Sequence, residues 1–479
     1  MARVSEVHVQ ALSPARFSTL IGEERTARFE IFAHAIEEFL ARRTILNVNS
    51  TATGGGVAEM LQTMLAYARG AGVDARWAVI EGNPAFFEVT KRIHNNLYGD
   101  AGDGGALDAA ARAVYEEALR ANADDLLALV KPGDFVVLHD PQTAGLVAPV
   151  RQAGAAAVWR CHVGIDTPNE HSEAAWGFLR PYLEEVDAFV FTRQAFAPPW
   201  ASDDRLDVIA PSIDPFSTKN QPMAEDEIGC VLSYAGLLGG QDGRVPAPFT
   251  RRDGSPGRVE RHADVLQTGP PPPSDAPLVV QVSRWDRMKD MEGVMAGFAD
   301  HVDGTADAHL VLVGPAVTGV TDDPEGGAVL DECMTAWRRL PHAARARVHL
   351  ACLPMHDPDE NATIVNALQR HAAVVVQKSL AEGFGLTVVE AMWKGRPVVA
   401  SAVGGIVDQI VDGEHGLLVH DPNDLAEFGS CVRRLLDDRP FAESLGRNAQ
   451  RRANEEFLGD RHLEQWGKLF AELEGARSL

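Results

Sequence analysis

The chain has 479 residues, of which 45% are hydrophobic, and a formal net charge of −24. The length points to two or three domains, and the apolar content excludes global disorder. The acidic balance argues against duplex nucleic acid or an anionic membrane as a partner.

No apolar run reaches the ~18 residues that a membrane helix needs. The opening stretch MARVSEVHVQALSPARF has no apolar signal-peptide core, so a cytoplasmic location is expected. The five cysteines, Cys161, Cys230, Cys333, Cys352 and Cys431, are scattered and lack CxxC spacing. That pattern argues against a disulfide framework and a structural zinc site.

In chain order, residues 25–42 have helical apolar spacing, and TILNVNS (44–50) reads as a buried strand. TATGGG then gives a glycine turn, and Val57, Met60, Leu61, Met64 and Leu65 mark one helix face ended by Gly70. VDARWAVI (73–80) is the next strand. Strand, helix, strand in this order is the mark of a parallel α/β sheet. Further strands are expected at 134–140, 156–162, 188–192 and 206–210.

The alternation stops over 222–275, which is rich in Gly, Pro and charge and reads as an elaborated linker. It resumes with strands at 278–284, 308–314, 347–352, 372–377 and 396–401. The expected organisation is an N-terminal Rossmann-like domain over 1–222, a linker or insertion over 223–275, a second Rossmann-like domain over 276–458, and a C-terminal helix in 459–479 that crosses back to the first domain. Two doubly wound domains facing a deep cleft follow from this reading, since ligands of such folds bind at the carboxyl ends of the strands.

The stretch LAEGFGLTVVEAMWKGRPVVAS (380–401) places Glu382 and Glu390 on either side of a glycine turn between strand and helix. A helix N-terminus offers unpaired N–H groups and partial positive charge, and glycines let an anion approach. Carboxylates accept hydrogen bonds from sugar hydroxyls, so two acids beside a phosphate cradle suit a nucleotide-sugar. Arg284 and Lys289, in QVSRWDRMKD, follow a strand end and are candidates for pyrophosphate in an otherwise acidic chain. TATGGGV is neither a dinucleotide fingerprint nor a P-loop. No acidic pair of metal-binding kind is found near these cations. Asp322 and Asp323 sit in a Gly/Pro loop and read as solvated.

Together these residues resemble a family. EGFGLTVVE matches the E-x7-E signature of retaining glycosyltransferases of the GT-B fold, family 4. SRWDRMK matches their Arg–Lys pair, GGGV their N-terminal glycine turn, and AVGGIVDQIVDGEHGLLV the segment that follows. NVNSTATGGGVAEML, VIEGNPAFFEVTKRIHNNLYG, LHDPQTAGL, WRCHVGIDTPN, PSIDPFSTKN and VSRWDRMKD narrow the resemblance to the trehalose glycosyltransferring synthase group, which also includes retaining trehalose phosphorylases. The resemblance runs from about residue 18 to 475, interrupted mainly by the linker.

The resemblance implies that Arg284 and Lys289 bind the donor pyrophosphate, helped by backbone N–H groups of Gly385, Leu386 and Thr387. Glu390 would bind the ribose hydroxyls, and Glu382 would contact the donor sugar. Gly55 and Gly56 would let the backbone close on the donor, and His162 would meet the donor sugar at the reaction centre. For the acceptor, two polar clusters at strand ends are expected: His139, Asp140 and Gln142 in HDPQ, and Glu81 and Asn83 in EGN. His94, Asn95 and Asn96 form a third, weaker candidate.

The expected reaction is retaining transfer of glucose from a nucleoside diphosphate glucose to free glucose, giving α,α-trehalose, with no metal or other cofactor. Trehalose phosphorolysis, another acceptor, nucleotide-sugar epimerisation and a non-catalytic sensor are the competing readings. Base contacts are expected from 349–354 and 377–380 through backbone groups, which leaves ADP, UDP and GDP open. A homodimer stays open as well.

Overall fold

A computed structural model describes residues 3–52, 55–240, 246–302, 307–317 and 325–475. Asp322, Asp323 and Gly54 lie outside the described residues. The chain divides into two compact units. The first comprises Met1–Ser212, Glu382–Phe384 and Phe457–Leu479, and the second Ile213–Ala381 and Gly385–Glu456.

The first unit runs β1 (Val4–Glu6), α1 (Ser18–Leu40), β2 (Thr44–Asn49), α2 (Gly55–Gly70), β3 (Asp74–Ile80), α3 (Pro84–Leu97), α4 (Ala109–Leu127), β4 (Phe135–His139), α5 (Val147–Gln152), β5 (Ala156–Cys161), α6 (Glu170–Leu183), β6 (Ala188–Phe191) and β7 (Leu206–Val208). Its sheet has the order β1-β3-β2-β4-β5-β6-β7, parallel except for β1 against β3. All six residues of β2 are buried, as a central strand covered on both faces requires. Leu46, Val48, Leu138 and Trp159 fill one face with α3, α4 and α6. Ile45, Trp77, Phe135 and Val137 fill the other with α1 and α2.

The second unit runs α7 (Glu225–Tyr234), β8 (Ala247–Thr250), β9 (Pro256–Val259), β10 (Asp264–Leu266), β11 (Leu278–Val282), α8 (Met291–His301), β12 (His309–Pro315), α9 (Gly326–Arg339), α10 (His342–Arg345), β13 (Val348–Leu353), α11 (Pro358–His371), β14 (Val374–Gln377), α12 (Leu386–Trp393), β15 (Val398–Ser401), α13 (Ile406–Gln409), β16 (Leu417–Val419), α14 (Leu425–Asp437) and α15 (Arg439–Glu456). The last helix, α16 (Gly459–Leu473), belongs to the first unit, where Trp466, Leu469 and Phe470 join the α1–α2 face of the core. The second sheet has the order β10-β13-β12-β11-β14-β15-β16, with only β10 antiparallel.

Residues 223–275 differ from the expected linker. They carry α7, the β8–β9 hairpin and β10, which pairs with β13 as the sheet's edge strand. Strands of three or four residues among Gly and Pro are too short to show a two-residue period, which is why composition alone concealed them. The boundary expected at 222 falls at 212, because residues 213–222 are tied into the second unit. Thr218 donates to Asp359 at 2.9 Å, and Asn366 donates to the Thr218 carbonyl at 3.1 Å.

Candidate active site

In an open α/β sheet the strand order reverses at one point, and the loops beyond the carboxyl ends of the strands there diverge to leave a crevice. In the second unit that point lies between β11 and β14, and in the first between β2 and β4. The expected site residues fall largely on the loops after these strands.

In the second unit, Arg284 follows β11 and pairs with Asp286 at 3.2 Å. Asp286 accepts from the Met288 N–H at 2.8 Å, which shapes the 3-10 turn Arg287–Lys289. Asp290 has left-handed backbone angles (φ 47°, ψ 48°) and caps α8 by accepting from the Gly293 N–H at 3.1 Å. The buried Gln281 joins this loop to the one after β14. Its amide nitrogen donates to the Lys289 carbonyl at 2.7 Å, and its oxygen accepts from the Lys378 N–H at 3.2 Å. Leu380 N–H donates to the Met288 carbonyl at 2.8 Å, and the fully buried Lys378 ammonium is ion-paired with Asp290. The structure thus brings the Arg284–Lys289 loop beside the start of the E-x7-E stretch.

Gly385 opens α12 with φ +88°, a left-handed conformation that glycine adopts without strain. Leu386 and Thr387 form the first turn of α12, whose N–H groups are not used within the helix. The Thr387 hydroxyl donates to Gln377 at 3.0 Å. Glu390 is buried one turn further on, and Lys219 stands 3.4 Å from its Oε1. Nearby the buried Lys394 ammonium donates to Asn220 at 2.8 Å and to Gln369 at 2.7 Å.

In the first unit, Gly55 (φ +80°) and Gly56 begin α2, the helix that comes next after β2 in chain order. His139, the last residue of β4, is buried with both ring nitrogens engaged. Nδ1 is 3.1 Å from His162 Nε2, and Nε2 is 2.9 Å from Asn47 Oδ1. Asp140 accepts the His162 backbone N–H at 2.8 Å. Its angles, φ 62° and ψ 179°, lie in a region that non-glycine residues occupy only at a cost. Burial raises the Asp140 carboxyl to about 7, against the lowering pull of the His162 N–H and of Arg160. Burial lowers His139 to about 3 and holds His162 well below the usual imidazole range. Arg160 is fully buried, donates to the Ile209 carbonyl at 2.8 Å, and is lowered to about 9 by desolvation.

Glu382 is buried and is grouped with the first unit. A Cβ at its neighbour Gly383 would lie 2.4 Å from the His162 carbonyl oxygen and 3.0 Å from the Tyr98 hydroxyl, so a glycine is needed there. Glu81 and Asn83 lie at the exposed turn after β3, and Gln142 in the 3-10 helix Pro141–Leu146. Asn83 caps α3, accepting from the Phe86 N–H at 2.8 Å. His94 and Asn95 lie in the last turns of α3, with His94 edge-on to Tyr98, and Asn96 is buried.

Sequence reasoning missed Gln281, Lys219, Asp290, Asn47 and Arg160. Lys378 stood in a segment read for its backbone alone. The one signal was chemical: a Lys and a Gln at the ends of otherwise apolar strands must be satisfied inside the fold. Among the described residues, no group of three or more His, Cys, Asp or Glu is placed to hold a metal ion, and no helix is long and apolar enough to cross a membrane.

Two doubly wound parallel-sheet domains with these loops define a glycosyltransferase of the GT-B class. A sucrose-phosphate synthase from Thermosynechococcus elongatus shares the fold, with a TM-score of 0.62 at 19% identity over 91% of this chain and 100% of that one. Residues 47–198 match the family described as trehalose synthase, N-terminal domain, and 266–452 match glycosyl transferases group 1. The trehalose synthase of Thermococcus litoralis is 33% identical over 94% of each chain, and that of Rubrobacter xylanophilus is 36% identical over 90% of this chain and 91% of its own. The chain belongs to the trehalose synthase family, and it is a glycosyltransferase.

Proposed function

We propose that this enzyme transfers glucose from a nucleoside diphosphate glucose to the anomeric hydroxyl of free glucose, forming α,α-trehalose with retention at the donor carbon. The observation that carries the donor half is the junction at β11 and β14. There Gln281 and the Lys378–Asp290 pair hold the Arg284–Lys289 loop beside the stretch that leads to Glu382, Gly385 and Glu390. In this reading Arg284, Lys289 and the N-terminal N–H groups of α12 take the pyrophosphate. They stabilise negative charge as the diphosphate leaves, which preorganised donors do without reorganising. Glu390 takes the ribose hydroxyls, and Glu382 and His162 meet the donor glucose. Gly55 and Gly56 admit the donor to the backbone at the start of α2. Asp140, Gln142 and Glu81 are the acceptor's polar contacts. Asn83 contributes by capping α3, where its side chain is already committed.

A panel of ADP-, UDP- and GDP-glucose with free glucose, products read by NMR, tests the proposal. Trehalose with one or more donors, and nucleotide release that accelerates on adding glucose, is the expected result. Release that ignores glucose, or trehalose formed only from glucose 1-phosphate, would overturn it.

A further inference from the structure

We infer that Asn47 and His139 form a hydrogen-bond chain that fixes the ring of His162 in one orientation and one tautomer, which makes His139 a positioning residue for glucosyl transfer instead of an acceptor contact. The inference rests on the reading above that His162 meets the donor sugar.

The chain is built by neighbouring strands. Asn47 lies on β2, and His139 ends the adjacent parallel strand β4, where Asn47 is in register with Val137. The two side chains therefore share a face two residues apart. His162 follows β5, the next strand, where His139 is in register with Arg160. The His139 and His162 rings lie almost parallel, at 10° with centroids 5.4 Å apart.

The protons follow from donor and acceptor counting. The structure turns the Asn47 oxygen toward His139 and leaves Asn47 Nδ2 buried without a partner; in that orientation the oxygen has no proton to give, so His139 Nε2 donates to it at 2.9 Å. Asn47 sits in the wall of a cavity otherwise lined by apolar groups such as Ile36, Leu65, Val137 and Phe470 and by Trp466, whose indole N–H donates to His462 at 3.1 Å. A neutral imidazole carries one N–H, and burial keeps both rings neutral. His139 Nδ1 is thus a lone pair, and His162 Nε2, 3.1 Å away, donates to it. What remains to His162 is Nδ1 as an acceptor. Asp140, the residue after His139, holds the His162 backbone through its N–H at 2.8 Å. Consecutive residues thus fix His162 at both ring and backbone, and the strained angles of Asp140 are the cost of that arrangement. His162 then meets the sugar as a neutral acceptor of a hydroxyl proton, not as an imidazolium that stabilises developing negative charge.

The test is nitrogen NMR on protein labelled with 15N-histidine, with the His162 signals assigned by difference against His162→Gln. The expected spectrum has His162 protonated at Nε2 in a slowly exchanging bond that couples to His139 Nδ1. His139→Leu should lose that bond and lower kcat by about 10- to 100-fold, the scale of a misplaced group, while the KM for the nucleotide-sugar changes little. His139→Asn, whose amide oxygen can take the place of Nδ1, should recover most of the loss. Protonation of His162 at Nδ1 in the wild-type protein, or equal impairment of the Leu and Asn variants, would overturn the chain. Should His162→Ala keep wild-type kcat, the sugar-site reading fails, while the wild-type spectrum still decides whether the chain exists.

Discussion

Lys219 Nζ lies 3.4 Å from Glu390 Oε1 inside the second unit. The lysine belongs to PSIDPFSTKN, whose polar residues are otherwise spent on structure: Asn220 accepts from the Lys394 ammonium at 2.8 Å. Glu390 is buried, so a nearby cation bears directly on how its carboxylate is held. Lys219→Met should raise the KM for the nucleotide-sugar by about 10-fold, the scale of a charge-assisted contact. In a double-mutant cycle with Glu390→Gln the two effects should fall well short of additivity. Additive effects would mean that the lysine acts elsewhere.

Arg284→Ala and Lys289→Ala should each lower kcat/KM for the donor by roughly 10- to 100-fold, from loss of hydrogen bonds to a charged group. Both side chains are partly exposed, so melting temperatures should barely move. Asp286 pairs with Arg284, and Asp286→Ala should therefore weaken donor binding less than Arg284→Ala does. Near wild-type turnover in both cation variants would remove these residues from the donor site.

Gly383→Ala should cost most of the activity even though alanine is the smallest change available. The new Cβ would meet the His162 carbonyl oxygen at 2.4 Å, and backbone cannot rotate away as a side chain can. Overpacking of this kind costs about 1–3 kcal/mol. Tyr98→Phe removes the second close atom, at 3.0 Å, and should not rescue the variant. Rescue by Tyr98→Phe would show the hydroxyl, not the carbonyl, to be the obstacle.

The parallel strands of both sheets were legible because buried central strands are continuous apolar runs: TILNVN and LVVQV need no neighbour to identify them. The glycine turn between Glu382 and Glu390 and the loop of Arg284 and Lys289 after a strand were legible because local spacing marks where strand, turn and helix meet. The Gln281 bridge was not. Its partners are the carbonyl of Lys289 and the N–H of Lys378, 97 residues away, and strand order alone brings them together. The same holds for His139. Its sequence neighbours Asp140 and Gln142 suggested a polar cluster for the acceptor at a strand end, whereas the register of β2, β4 and β5 places its ring between Asn47 and His162. The edge strand β10 and the β8–β9 hairpin were hidden by shortness and by a composition typical of linkers.

Acid should destabilise the first unit below about pH 6.5, where free imidazole begins to protonate. His139 is lowered to about 3, and His162 and His462 lie well below the usual range, all chiefly by burial. The unfolded chain therefore binds protons in this window that the folded one does not, so stability falls as pH falls, by on the order of 1 kcal/mol per pH unit for each ring. Asp140, raised to about 7, has the opposite sign: its folded form keeps a proton that the unfolded form gives up down to about 3.8. Asp207 is also raised, chiefly by burial, and adds to that side, but three rings outweigh two carboxyls, so melting temperatures should decline from pH 6.5 to 4. A melting temperature that rises steadily over that range would refute the assignment of these rings as buried and neutral.

Lys378→Met should be among the most damaging single changes outside the hydrophobic core. The ammonium is fully buried and its partner Asp290 is largely so. Removing one member leaves the other charge in a medium that solvates it poorly, which costs about 3–5 kcal/mol in buried pairs. The pair also fixes position: Asp290 follows Lys289 directly, and Lys378 lies four residues before Glu382. Loss of the pair should therefore raise the KM for the nucleotide-sugar as well as lower the melting temperature. The double variant Lys378→Met with Asp290→Asn should recover much of the stability. Asparagine carries no charge to strand, and as a good N-cap it can still accept from the Gly293 N–H that Asp290 now binds at 3.1 Å. Donor KM should stay raised in the double variant, because the two loops are no longer joined by a charge pair. Unfolding curves and donor kinetics on the two variants separate the effects. A double variant as unstable as Lys378→Met alone would show that the lysine stabilises through packing of its stem and not through Asp290.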